Sequence, residues 1–416
     1  MGDFYEMFND DAVEISKLLN LTLTRRDKKN DIPMCGIPYH AADSYISKLL
    51  QHHKRVAICE QVEDPKKAKG LVKRDVIRVI TPSTTFDDAQ LNERANNFLA
   101  AIYAPGARGD TRIGFAHLDV TTGEFQVAEL ADAAALQQEL ERFRPSEILV
   151  TEEFPVDEWR EKDPLFGDAL VVPVDSLYFD DGRNVLLNHY DVVSLDGFGC
   201  EKLSRGVAAA GAAVRYVKEN LPDASLAHLR PPRVFRREHF MIIDDVSRRN
   251  LELVRALRDG STHGTLLGVL DTTVTVMGAR LIRQWITAPL LDVAAICARQ
   301  NAIEMLIDAQ DLIPRLQSVL ENVMDVERLS CRLSTGYGSP RDLGALRESL
   351  RAVPGIRRLL SDVLARDATG SLTPDADEPR RILLEEILDN LDELPDLRDE
   401  LTHALVDQPP TKIQEG

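Results

Sequence analysis

The spacing of apolar residues changes along this chain, and that change limits what it can fold into. Beyond Pro289, Leu312, Leu316, Val319, Leu320, Val323, Val326, Leu329 and Leu333 recur at intervals of three and four, the period of a helix buried along one side. Over 312–333 this predicts one amphipathic helix of roughly 30 Å. Leu383, Leu384, Ile387, Leu388 and Leu391 repeat the pattern, and Leu394, Leu397, Leu401 and Leu405 continue it past Pro395. Each stripe reads as core. Upstream the apolar runs are short and β-branched, as in Val56-Ala57-Ile58-Cys59 and Val76-Ile77-Arg78-Val79-Ile80, which fit central strands of a small mixed domain. An α/β front half followed by an all-α part is the expected fold class. At 416 residues one core does not suffice, and two to four domains are expected.

Local signals fill in this outline. Residues 10–19 read as a helix with acids in its first turn and a basic residue later, and 21–24 as a strand. Gly36-Ile37-Pro38-Tyr39-His40 reads as a loop, because Pro38 restricts what precedes it and Gly36 permits unusual dihedrals. A second helix is expected over 41–51, and the polar stretch from 82 to 97 as a linker. Thr121-Thr122-Gly123 between two alternating runs predicts a hairpin, followed by a helix over 131–143 and a strand at Ile148-Leu149-Val150. A small-residue helix over 207–218 closes this part, and 221–232 reads as a second linker. The longest apolar run, Gly206 to Val214, is closed by Arg205 and Arg215 and is too short to span a membrane. The N-terminus opens on an acidic stretch rather than a basic segment and an apolar one, so no signal peptide is expected. Cysteines 35, 59, 200, 297 and 331 are odd in number and lack a C-x-x-C pair. Reduced thiols of a cytoplasmic protein are therefore expected, without zinc or disulfides.

A net charge of −18 argues against nucleic acid until its distribution is considered. Residues 1–82 hold 14 Lys/Arg against 12 Asp/Glu, and from Lys17 to Arg78 the count is 14 against 7. The front of the chain is thus its basic part. Arg25, Arg26, Lys28, Lys29, Lys66, Lys67, Lys69, Lys73 and Arg74 are candidates for phosphate contacts, which position a protein on a duplex without reading its bases.

Within Gly2-Asp3-Phe4-Tyr5-Glu6-Met7-Phe8, an extended backbone would point Phe4 and Glu6 to one face. A Phe ring can enter a base step at an unstacking cost of roughly a few kcal/mol, which is lowest where pairing is already faulty. A Glu beside it can accept a hydrogen bond from a base edge, and its charge penalises a tight fit on ordinary duplex. Three acidic or imidazole pairs invite a metal reading. Asp119 with Glu124 could hold Mg²⁺ in a nuclease, but no third or fourth carboxylate stands at a helpful spacing. His52-His53 cannot share a helix face and reads as an exposed helix end. Asp244-Asp245 reads as a helix cap and polar surface.

The opening run is followed by Ile32-Pro33-Met34-Cys35-Gly36-Ile37-Pro38-Tyr39-His40, Val56-Ala57-Ile58-Cys59-Glu60-Gln61 and Val76-Ile77-Arg78-Val79-Ile80-Thr81-Pro82. In this order they resemble the mismatch-binding domain of the MutS family. Met241-Ile242-Ile243-Asp244-Asp245-Val246-Ser247-Arg248-Arg249-Asn250-Leu251-Glu252-Leu253, with the Gly264–Asp271 and Met277–Trp285 runs, resembles the start of that family's helical core or lever. The resemblance runs to the last residue. It implies a small mixed α/β mismatch-binding domain over 1–82, a linker over 83–97, and a ribonuclease-H-like α/β connector domain over 98–220. A linker over 221–234 and the first part of a helical core/lever domain over 235–416 follow. Phe4 and Glu6 correspond to the family's mismatch reader. Duplex DNA carrying mispairs or small insertion loops is the implied ligand, a MutL-type repair protein an implied partner, and a bacterial cytoplasm with nucleoid association the implied location. Thr81-Pro82-Ser83-Thr84 departs from the family by placing Ser83 where Gly is usual, which weakens the expectation of a tight turn.

No G-x-x-x-x-G-K-[ST] loop occurs, so the chain is expected to be neither an enzyme nor a holder of a cofactor. In the family, the ATPase domain with its ATP and Mg²⁺, the clamp and the homodimer contacts lie beyond the matching part. The chain is accordingly expected to be a fragment lacking both ends, with apolar stripes exposed on the helices after Pro289. A structural or partner-binding piece with only non-specific duplex binding is the alternative.

Overall fold

A computed structural model of the chain describes residues 3–26, 31–63, 72–87, 90–104, 111–162, 166, 168–222, 224–370 and 378–410. A mixed α/β N-terminal region is followed by helices.

The first strand, β1 (Phe4–Phe8), pairs antiparallel with β3 (Pro33–Pro38), which pairs on its other side with β2 (Thr24–Arg25). The helices Asn9–Leu18 and Ala42–Gln51 accompany this sheet. Two expectations need correction. The strand expected at 21–24 begins only at Thr24, because Leu21 is drawn into the core beside Ile37, Ile46 and Leu50. The loop expected from Gly36 is instead strand as far as Pro38. Proline is tolerated there because β2 reaches only Pro33 and Met34, so no second neighbour requires an N–H from Pro38. His52 and His53 do lie exposed at a helix end.

Strands β4 (Val56–Gln61) and β5 (Arg74–Ile80) form their own antiparallel ribbon, with a register shift between Ile58 and Cys59. They are not central strands of the sheet, as their β-branched composition suggested. Only Ile58 and Ile80 among them are buried in the small core, with Val56 and Ile77 packed at its side. One buried face per strand is enough to select such residues.

A larger sheet begins at β6 (Leu99–Tyr103) and continues with β7 (Ile113–Asp119), β8 (Glu124–Leu130), β9 (Glu147–Thr151), β10 (Leu170–Val174) and the short β11 (Arg233–Val234). Their order is β10-β9-β6-β7-β8-β11. The β6–β7 and β7–β8 pairs are antiparallel, and β9, β10 and β11 join in parallel. The expected hairpin closes at Gly123, whose φ of +73° suits glycine and whose N–H donates to Asp119 O. Alternation divides β6 between two cores. Leu99 and Ala101 face the helix Ser204–Asn220, and Ala100 and Ile102 face the helix Ala133–Phe143. A Cβ on Gly211 would come within 2.2 Å of Gly182 Cα, so the small residues of Ser204–Asn220 serve close helix contact. Leu221, Leu226 and Leu229 of the following stretch are buried in the same core.

From Val276–Thr287 onward the chain is helical: Val293–Asp308, Ile313–Leu320, Val326–Ser334, Pro340–Gly370, Glu378–Asn390 and Pro395–Ala404. The single helix expected over 312–333 is two helices broken near residue 321. Asp325 caps the second by accepting from Arg328 N, and the apolar spacing runs across the break because both halves pack on Pro340–Gly370. Ala302, Met305, Leu312, Leu359, Val363 and Leu384 form the core here. Leu291, Val293, Ile303 and Ile307 are exposed, in keeping with the expected open stripes. Asp244 caps the helix Asp245–Asn250 by accepting from Ser247 N and Oγ, which supports its reading as a cap. Among the described residues no helix is long and apolar enough to cross a membrane.

Candidate nucleic-acid interface

The alternation of Phe4-Tyr5-Glu6-Met7 sorts its side chains in β1, an edge strand of the three-stranded sheet. Tyr5 and Met7 point to the small core, while Phe4 and Glu6 are exposed, Phe4 by 61%. The opposing strand leaves this ring room. Gly36 sits across from Glu6, and a Cβ there would meet Tyr5 O at 3.3 Å and Phe4 Cδ1 at 3.7 Å.

The strand is held from behind. Tyr5 Oη donates to Glu60 Oε1 at 2.5 Å, tying β1 to the β4–β5 ribbon, and burial followed by that bond pushes the phenol up to about 12. Tyr39 is also 61% exposed, with its ring 5.7 Å from that of Tyr5 and its N–H donating to Asp3 O at 2.7 Å. Two exposed aromatics thus flank the start of β1. Tyr39 had no assigned role in the sequence reading. Its signal was the Pro38-Tyr39-His40 run, which carried family resemblance without indicating exposure.

The basic residues fall into separate groups. The Arg26 guanidinium lies 5.0 Å from the Phe8 ring centroid, at the far end of β1 from Phe4. Arg25 pairs with Asp31 at 2.7 Å in an exposed ion pair. Lys73 stands 3.8 Å from Asp75, and exposed Arg74 faces Gln61 at the tip of the ribbon. Lys28, Lys29, Lys66, Lys67 and Lys69 lie outside the described residues.

Asp119 and Glu124 do come together, directly opposed across the hairpin. Their oxygens are already committed to donors. Asp119 accepts from Thr121 N and Oγ1, Asn96 Nδ2 and Asn97 N, and Glu124 accepts from Asn96, Gln126 and Gln284. Burial, and next the neighbouring Asp119, raises Glu124 to about 7. Among the described residues no group of three or more His, Cys, Asp or Glu is arranged to hold a metal. The pair is a junction joining the chain before β6, the hairpin and the helix Val276–Thr287.

Comparison with known proteins gives the family. Family models described as MutS domain I, MutS domain II and MutS domain III match residues 1–89, 97–230 and 246–416 in turn. A DNA mismatch repair protein MutS from Symbiobacterium thermophilum is 43% identical over 425 residues, covering all of this chain and 46% of that protein. Proteins of the same description from Protochlamydia amoebophila and Syntrophobacter fumaroxidans are 39% and 41% identical, with 46% and 45% of their lengths covered. The chain spans a little under half the length of these curated relatives. With successive domain models matching from its first residue to its last, the chain belongs to the MutS family.

Proposed function

We propose that this chain recognises mispaired bases and small insertion loops in duplex DNA, as a part of mismatch repair. The observation that carries this reading is the exposed Phe4 and Glu6 on one face of an edge strand whose other face is anchored in a core. Phe4 enters the minor groove at the faulty step and stacks on the mispaired base, and Glu6 accepts a hydrogen bond from it. Discrimination then comes from deformability, since a mispaired step kinks at lower cost than a paired one. Arg25, Arg26, Lys28, Lys66, Lys67, Lys69, Lys73 and Arg74 contact phosphates, which supplies affinity without sequence.

In the same proposal the six-stranded region is a ribonuclease-H-like connector that works without catalysis. Its support is the antiparallel β6–β7–β8 meander extended by parallel β9 and β10, together with carboxylates occupied by structural hydrogen bonds. No bond-breaking step is assigned to this chain. ATP hydrolysis, homodimer contacts and a MutL-type partner belong to the proposal for the whole protein, as does a cytoplasmic, nucleoid-associated location.

The test is binding of the chain to matched and singly mismatched oligonucleotides at two salt concentrations. A preference for mismatched duplex that persists as overall affinity falls with salt supports the reading. Equal affinities with the same salt dependence would favour the alternative of a piece that binds duplex non-specifically.

A further inference from the structure

The first unit meets the second at one end of the β4–β5 ribbon, where Val56 pairs with Ile80. On one strand the residue before Val56 is Arg55, whose guanidinium lies 5.6 Å from the Tyr216 ring centroid. On the other, the chain runs from Ile80 into a turn closed by Thr84 N–H donating to Thr81 O at 3.2 Å. Thr81, Ser83 and Thr84 are buried, which is unusual for a polar connecting stretch. Beneath them lies Glu147, the first residue of β9, with no exposed surface.

Four uncharged donors converge on this carboxylate. Oε2 accepts from Thr81 Oγ1 at 2.6 Å, Ser83 Oγ at 2.5 Å and Ser83 N at 3.2 Å, and Oε1 accepts from the Tyr216 hydroxyl. Asn97 Nδ2 holds the turn from the far side through Pro82 O at 2.8 Å. A buried carboxylate is tolerable only when its oxygens are satisfied, so losing a donor is costly. Glu147 therefore grips both attachments together: the turn that continues β5, and the ring under Arg55. A glycine at position 83 would leave the N–H but remove the hydroxyl.

We propose that Thr81, Ser83, Glu147 and Tyr216 form a latch that fixes the orientation of the wedge-bearing unit against the six-stranded unit, with Ser83 as a positioning residue. A ribbon attached at one point can swivel, whereas attachment through both strands resists rotation. A second contact of the same kind lies alongside, with Arg78 of β5 5.5 Å from the Tyr337 ring and Phe86 stacked on that ring at 5.2 Å. The consequence for DNA rests on the mismatch-recognition reading, because a fixed unit presents Phe4 in one orientation.

The latch can be tested without DNA. Cys59 on the ribbon is exposed and Cys35, Cys200 and Cys331 are buried, and Asp157 on the helix Val156–Lys162 of the six-stranded unit is exposed, so in a Cys297→Ser/Asp157→Cys background spin labels at 59 and 157 report the distance between the two units. In Ser83→Gly the distance distribution should broaden, and in Thr81→Val/Ser83→Gly it should broaden further. Thermal unfolding of each variant is followed in parallel. Unchanged widths overturn the latch, whether or not the melting temperature falls, since a fall alone marks a merely structural turn. The ratio of mismatched to matched binding is then measured on the same samples. Broadening in a chain that never preferred mismatches would overturn the functional reading and leave the latch standing.

Discussion

The first and second units of this protein deal with apolar surface in opposite ways. Around β6 to β10 the sheet is covered on both faces, and Leu99, Ile102, Leu118, Ile148 and Leu149 are fully enclosed. The three-stranded sheet of the first unit has a small core, an open edge at β1 and a Phe ring left mostly outside it. The contrast separates stability from reading. Enclosed side chains are concentrated in the second unit, and Phe4 and Glu6 project from an edge strand where truncating either side chain should barely affect folding.

The contrast breaks if the enclosed sheet proves tolerant. Leu149→Ala, in the middle of β9 with parallel neighbours on both sides, should lower unfolding free energy by about 2–5 kcal/mol in denaturant titration. Phe4→Ala, being exposed, should change it by no more than about 0.5 kcal/mol.

A pH series sharpens the comparison further, because the burial that stabilises the second unit also traps an acid. Glu124 is raised from its ordinary 4.5 to about 7, so the folded state binds its proton more tightly than the unfolded chain does. Its contribution is fully present below 4.5 and is lost as pH rises through 7. Glu124→Gln should remove that loss. The unaltered chain should lose roughly 1–3 kcal/mol between pH 5 and pH 8 through this group, and the variant should lack that part of the slope, read from parallel denaturation curves. The smallest effect is expected at the ribbon tip, where Arg74→Ala should leave folding within about 0.5 kcal/mol. It should reduce the salt slope of DNA binding by roughly one unit.

Much of this organisation was legible in residues taken a few at a time. The alternation of Phe4-Tyr5-Glu6-Met7 put Phe4 and Glu6 on one face, and Thr121-Thr122-Gly123 marked a hairpin. Where the reading failed, a partner distant in the chain decided the outcome. Pro38 stays in a strand because β2 is too short to reach it, and the helix expected over 312–333 breaks because Asp325 caps a second one. The bonds of Tyr5 to Glu60 and of Ser83 to Glu147 join residues 55 and 64 positions apart. No local period encodes such pairings. Nothing near Ser83 in the chain gives its hydroxyl a use, which comes from Glu147 beneath it.

The central claim is that the exposed ring on β1 distinguishes faulty from sound base pairing. Competition binding of Phe4→Ala against matched and singly mismatched duplexes tests it most directly. Loss of a stacking contact worth about 1–3 kcal/mol should bring the two affinities close to equality, with salt-dependent binding to matched duplex retained. A mismatch preference undiminished in Phe4→Ala would contradict the account.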